Sequence, residues 1–215
     1  MNLPVVVVGG GGHGRVVVDA LLSGGHQVLG VTDRGAGALA WPSLRGIELL
    51  GDDDVLDGYG PGAIFLANGI GGVATTAARR MLYERLVAKG YVFPVICHPS
   101  ATISSSARLD LGTQVMAGAI VQIDCTVGPN SVVNTGARID HDCHVGAHVH
   151  IGPGAVLCGG VRIDDGASIG AGATLRQGVI IGRDAIVGLG AAVVADVAEG
   201  ATVVGVPARV VKAPR

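Results

Sequence analysis

Four histidines crowd into ten residues of this chain, His141, His144, His148 and His150, and the first is followed at once by Asp142. An imidazole titrates near pH ~6.5, so it can take up or release a proton at neutral pH. A carboxylate beside it can fix the tautomer and raise the basicity. His141 with Asp142 is therefore a candidate general base for acyl transfer, in which an amine attacking a thioester must shed a proton. Three of these histidines could instead hold zinc, yet the spacing of His141, His144 and His148 converges on a helix face and not along an extended chain. His144 and His148 also read as solvated surface residues. Cys158 reads as an apolar filler, because no His is paired with it as an acyl carrier would need.

A second chemistry-bearing stretch is Gly9-Gly10-Gly11-Gly12-His13-Gly14, preceded by the apolar run Pro4 to Val8 and followed by the helical stretch Arg15 to Leu22. Strand, glycine turn and helix form the arrangement that cradles phosphates on backbone amides. Gly9, Gly11 and Gly14 satisfy G-x-G-x-x-G, and a second strand over Gln27 to Thr32 ends at Asp33, 19 residues after Gly14, where a ribose-binding acid would sit. A dinucleotide fold needs two βαβαβ halves. Only one fits here, with strands near Val5, Val28, Ile64 and Val92 and a helix over Thr75 to Lys89, so the site suits one nucleotide or nucleotide-sugar. An NAD site and a purely structural glycine turn are the alternatives.

From Ile103 to Val193 every sixth residue is aliphatic, sixteen times in succession, and four residues after each comes a small or β-branched residue, from Ala107 to Val197. A period of six fits neither a helix nor simple strand alternation. It suits a three-sided coil of 18 residues, with about five turns here, whose aliphatics stack inside at the ~4.8 Å strand spacing. Small residues then fill the corners, and Cys125 and Cys143 stack in the same one. His141, two residues after Ile139, falls at or near a corner; His144 and His150 fall on outward faces.

Composition agrees with such a core. The 215 residues include 37 Gly, only 3% aromatic and 15% charged residues, against a usual ~25% charged. With 49% apolar residues and a net charge of -2, neither disorder nor nucleic-acid binding is favoured. Val5 to Val8 is far short of the roughly 18 apolar residues that span a bilayer, and no basic n-region precedes an apolar stretch. A cytoplasmic protein without a membrane partner is expected. The four cysteines show no C-x-x-C spacing and read as reduced thiols.

The hexads resemble those of the hexapeptide-repeat acyltransferases, whose repeats form a left-handed parallel β-helix. The expected fold is an α/β half-Rossmann-like domain, residues 1–98, followed by a left-handed β-helix with a C-terminal cap, residues 99–215. The resemblance implies homotrimers with active sites between neighbouring subunits. The Gly11-Gly12-His13-Gly14 turn, the Asp after the second strand and the prism together look like the sugar N-acetyltransferases that modify nucleotide-linked 4-amino-4,6-dideoxyhexoses, relatives of the sialic acid O-acetyltransferases. By that resemblance Gly11, Gly12, His13, Asp33 and Arg34 hold the nucleotide-sugar, with Asn68 and Gly69 nearby. Some members carry a second acid where this chain has Arg34, which leaves uracil or guanine open.

The segment Ile139-Asp140-His141-Asp142-Cys143 is similar to the family's catalytic stretch, with His141 the base and Asp142 its partner. His150, Gly159 and Ala171 fall where the family meets acetyl-coenzyme A. Val204 to Arg209 looks like its G-x-P-A-[KR] ending, with Arg209 directed at coenzyme A phosphates and Lys212 either joining it or belonging to a polar tail that caps the last coil. What this implies is metal-free, direct acetyl transfer from acetyl-CoA to the 4-amino group of the sugar, in O-antigen biosynthesis. GDP-perosamine is favoured over UDP-linked sugars. A sialic acid-type sugar O-acetyltransferase, a zinc-dependent carbonic anhydrase-like lyase and a non-catalytic nucleotide sensor are the competing readings.

Overall fold

A computed structural model describes residues 3–35, 46–72 and 75–212. Four consecutive valines form strand β1 (Val5–Val8), which is buried throughout. Strands covered on both faces carry such unbroken apolar runs. β2 (Val28–Thr32), β3 (Leu49–Gly51) and β4 (Phe65–Asn68) complete a parallel sheet of order β3-β2-β1-β4. β3 has no counterpart in the sequence reading, because three residues are too few to show a period. Val92 forms only an isolated bridge to Phe65. Helix α1 (Gly12–Ser23) begins earlier than the apolar stretch suggested, since the glycine turn winds directly into it, and it buries Val17, Val18, Ala20 and Leu21. Helix α2 (Ala77–Ala88) follows β4 and buries Leu82 and Leu86.

From residue 96 each hexad contributes one two-residue strand, and strands eighteen residues apart pair in parallel, as Thr126 with His144 and Val132 with His150. Three sheets result, forming a left-handed parallel β-helix. In each coil the chain visits the first face (Arg108–Leu109, Thr126–Val127, His144–Val145 and onward), then the second (Gln114–Val115, Val132–Val133, His150–Ile151), then the third (Ile120–Val121, Arg138–Ile139, Val156–Leu157). The coil starts one strand before Ile103: Ile96–Cys97 already pairs with Gln114–Val115. The hexad aliphatics from Val115 to Val193 and the small corner residues form one buried cluster. Cys125 and Cys143 lie in it as stacked corner residues, their thiols donating to the carbonyls of Asp140 and Cys158. A strand over Arg209–Lys212 folds back antiparallel on Thr202–Val204 and closes the last coil.

The α/β part sits on the second face. Ile96 and Met116 of the prism share a core cluster with Val5, Val7, Val17 and Val18, the Ser168 hydroxyl donates to Gly72 O, and the Thr76 hydroxyl donates to Gly166 O. Among the described residues no helix is long and apolar enough to cross a membrane.

Candidate functional site

At the carboxyl ends of the α/β strands lies a cleft of about 1110 Å³, lined among others by Gly11, Gly12, His13, Asp33, Arg34 and Gly69. Two glycines let its backbone close up. A Cβ on Gly14 or on Gly69 would lie 2.1 Å from Gly9 O, so three chain segments touch where any side chain would part them. Gly11 caps α1 without any side-chain hydrogen bond, leaving the first amides of the helix to an anion, which the helix dipole also favours. Asp33 shapes this turn: its carboxylate accepts from Gly10 N at 2.7 Å and from Gly35 N at 2.8 Å, one bond to each oxygen.

Beneath the cleft, polar side chains join the two parts of the chain. Gln114 donates its amide to Asn68 O (2.9 Å), so its oxygen accepts from His13 Nε2 at 2.9 Å. This fixes the Nε2–H tautomer of the ring, with Nδ1 left as an acceptor. Burial, then the Arg79 charge, push its pKa down to about 3. Asn68 donates to Arg79 O and to Asn130 Oδ1, and accepts from Ile70 N. His150 lies 6.4 Å from His13, ring to ring; burial and Arg79 push its pKa down to about 4.

The other candidate chemistry is at the edge between the third and first faces. His141 is exposed there, and its Nδ1 lies 2.7 Å from Asp142 Oδ2. Asp142 takes a left-handed φ of 58°, which Asp tolerates better than most residues and which turns the carboxylate back onto the ring. That hydrogen bond raises the pKa of His141 above its ordinary value. Gly159, one coil on, is the floor against which the ring rests: a Cβ there would lie 2.5 Å from His141 Cε1 and Nε2. With Nδ1 engaged, Nε2 is the atom left to accept a proton.

The structure thus gathers Gly11, Gly12, His13, Asp33, Arg34 and Gly69 in one cleft and His141, Asp142 and Gly159 on one edge. It keeps the two groups apart. The cleft sits on the second face, and the His141 edge is the one opposite it, so they do not meet within a chain. Ala171 is exposed at a turn between the second and third faces, and Arg209 is exposed on the closing strand. The side chain of Lys212 lies outside the described residues.

The structure alters the expectations for Asn68 and His148 and adds to that for His150. Asn68 is buried and is not among the residues that line the cleft; its amide is consumed at the junction, where it supports the wall. His150 points outward from the prism as expected but is buried, because the segment around Gly72 covers it. His148 is likewise buried, its Nδ1 accepting from Asn130 Nδ2 at 2.9 Å, and is no solvated residue. The sequence did carry a signal for this. On the second face the outward positions Gln114, Val132, His150 and Ser168 are buried, while the first and third faces carry Arg108, Arg138 and Arg162. The sequence reading also passed over Arg79, Gln114 and Asn130, and the cleft pair Asp53 and Arg85. Among the described residues no group of three or more His, Cys, Asp or Glu could hold a metal ion.

A family model described as bacterial transferase hexapeptide (six repeats) matches residues 142–177, and one described as PglD N-terminal domain matches residues 4–86. No curated protein matches the chain. A variant of the perosamine N-acetyltransferase of Caulobacter crescentus, solved with CoA and GDP-perosamine, is 36% identical over 96% of both chains, with a TM-score of 0.87. The chain belongs to the hexapeptide-repeat nucleotide-sugar N-acetyltransferases. The acetyltransferase domain of PglB from Neisseria gonorrhoeae, solved with acetyl coenzyme A, is also 36% identical, over 98% of this chain and 100% of that one, with a TM-score of 0.88. WeeI from Acinetobacter baumannii is 26% identical over 98% and 100% of the two chains, with a TM-score of 0.83. Because the likeness runs through both parts, the cleft and the His141 edge belong to one acetyl-CoA-dependent acetyltransferase.

Proposed function

We propose that this acetyltransferase moves the acetyl group of acetyl-CoA directly onto the 4-amino group of a nucleotide-linked 4-amino-4,6-dideoxyhexose, with GDP-perosamine ahead of UDP-linked sugars. The observation that carries the reading is the His141–Asp142 pair, 2.7 Å apart on an exposed edge with Nε2 free. The amine nitrogen attacks the thioester carbon, and His141 Nε2 takes the proton that nitrogen sheds. Asp142 holds the other imidazole N–H and stabilises the cation that forms. The tetrahedral intermediate then expels coenzyme A as a thiolate, which recovers a proton from His141. A backbone amide near Gly159 or Ala171 would stabilise the oxyanion.

In this reading residues 1–98 hold the nucleotide-sugar through Gly11, Gly12, His13, Asp33, Arg34 and Gly69, with diphosphate at the amino end of α1. Residues 99–215 hold acetyl-CoA near Gly159 and Ala171, with Arg209 toward its phosphates and His150 beneath the junction. A homotrimer brings the cleft of one subunit to the His141 edge of its neighbour. The separation of these two groups within one chain supports that assembly, and the match to an enzyme solved with CoA and GDP-perosamine supports the choice of substrates. A cytoplasmic enzyme of O-antigen assembly follows from the same reading.

The test is release of free coenzyme A from acetyl-CoA in the presence of GDP-perosamine, then of UDP-linked 4-amino sugars, for the wild type and His141→Ala. Release that needs one of these sugars and collapses in the variant is the expected result. Undiminished release by His141→Ala would move the base elsewhere, and release with a hydroxyl sugar alone would make the protein an O-acetyltransferase.

A further inference from the structure

Arg79 on α2 is the largest fully buried side chain among those described. A guanidinium out of water is costly unless a carboxylate answers it, and among the described residues none lies within ion-pair distance of Arg79. Its protons go instead to three backbone carbonyls: Nε to Asn130 O at 3.0 Å, and Nη1 to Asn68 O at 3.0 Å and Ile70 O at 2.9 Å. Nη2 has no partner among the described residues.

These carbonyls are not an arbitrary set. Asn130 belongs to a corner of the prism, and Asn68 and Ile70 flank Gly69. The backbone of Gly69 in turn lies against Gly9 and Gly14, where a Cβ would stand 2.1 Å from Gly9 O and 3.1 Å from Gly14 Cα. Gly69 and Ile70 also line the cleft. A continuous chain of contacts therefore runs from the prism corner, through the guanidinium, to one wall of the cleft and on to the turn that offers amides to an anion. An apolar side chain of the same length would fill this space at less cost. What only a planar cation supplies is a rigid fork that sets the direction of several acceptors at once, together with a positive charge behind the wall.

We infer that Arg79 is the positioning residue of the nucleotide half-site: its fork sets the Asn68–Ile70 wall against the glycine turn, and its unanswered charge favours the diphosphate on the far side of that wall. The inference rests on the nucleotide-sugar reading above. It predicts that Arg79 governs nucleotide affinity and leaves acetyl-CoA, which in that reading lies along Gly159, Ala171 and Arg209, untouched.

Titration calorimetry of GDP and UDP into the wild type, Arg79→Met and Arg79→Lys, beside the KM for acetyl-CoA, tests this. Arg79→Met should weaken nucleotide binding by about tenfold or more, and Arg79→Lys, which keeps the charge and loses the fork, by less. The KM for acetyl-CoA should stay within about twofold in both. A residue serving only the junction would lower thermal stability without this split between substrates. Wild-type nucleotide affinity in a folded Arg79→Met overturns the inference, and so does loss of folding in both variants. Failure of the underlying reading looks different: the wild type itself would then bind neither nucleotide.

Discussion

His141 is exposed, yet its basicity is set by one neighbour. The Asp142 hydrogen bond raises its pKa above the ordinary 6.5, and the general base proposed for it would work only when neutral. Activity, followed as kcat/KM, should therefore fall as the pH drops through a value above 6.5, and Asp142→Asn should move that limb to lower pH while slowing the reaction. An acid limb unmoved by Asp142→Asn would mean that another group titrates. Gly159→Ala tests the floor beneath the ring. The nearest atoms to its Cβ would be those of an exposed imidazole, at 2.5 Å, so the protein should keep its melting temperature while kcat falls by about tenfold or more if His141 is the base, because small misplacements of a catalytic group cost large factors in rate. The adjacency of His141 and Asp142 was legible in the sequence. Gly159 against the ring is a contact between coils, and its reason, the closeness of that contact, exists only once the coil is wound.

Elements differ in how they tolerate change. In the glycine turn, Gly14→Ala would drive a Cβ to 2.1 Å from Gly9 O, where backbone meets backbone and neither side can yield by changing rotamer. A loss of about 3–5 kcal/mol is expected in urea unfolding, with loss of nucleotide binding; wild-type stability would mean that the three segments can part without cost. In the prism, Ile163→Ala leaves a hole in a stack buried from Val115 to Val203. The expected cost is about 2–5 kcal/mol. Sixteen hexads announced this stack because each inward position repeats the same environment. The α/β part had no such redundancy: β3 is three residues long, and α2 carries a buried Arg79 that no apolar pattern could reveal.

For the whole molecule, the two buried imidazoles of the junction link stability to pH. His13 and His150 are held neutral, at about 3 and about 4 against an ordinary 6.5. Below pH 6.5 the unfolded chain takes up protons that the folded one refuses, so stability must fall as the pH is lowered through this window. A melting temperature constant from neutral pH to about pH 4 would contradict the burial of both rings. The separation of the cleft from His141, with the proposed trimer, leads to a complementation test. Light scattering should give three times the 21.4 kDa chain mass, and refolding inactive His141→Ala together with inactive His13→Ala should restore activity, since mixed trimers contain interfaces with both partners intact. A mixture that stays inactive would place both groups within one subunit.

By itself the sequence determined the prism, the glycine turn and the His141–Asp142 pair, because each is local: a period, a tight turn and two adjacent residues. Only the tertiary structure decided which outward face is covered. An outward hexad position looks the same whether it meets solvent or another part of the chain, so His148 read as solvated and His150 only as outward-facing until the α/β part was seen to lie on them. The same docking turned Arg79, Asn68, Asn130 and Gln114, scattered over 46 to 62 residues of separation from Asn68 where they cross to the prism, into one hydrogen-bonded junction. A hydrogen bond needs only that its two groups meet in space, and no spacing along the chain records that they do.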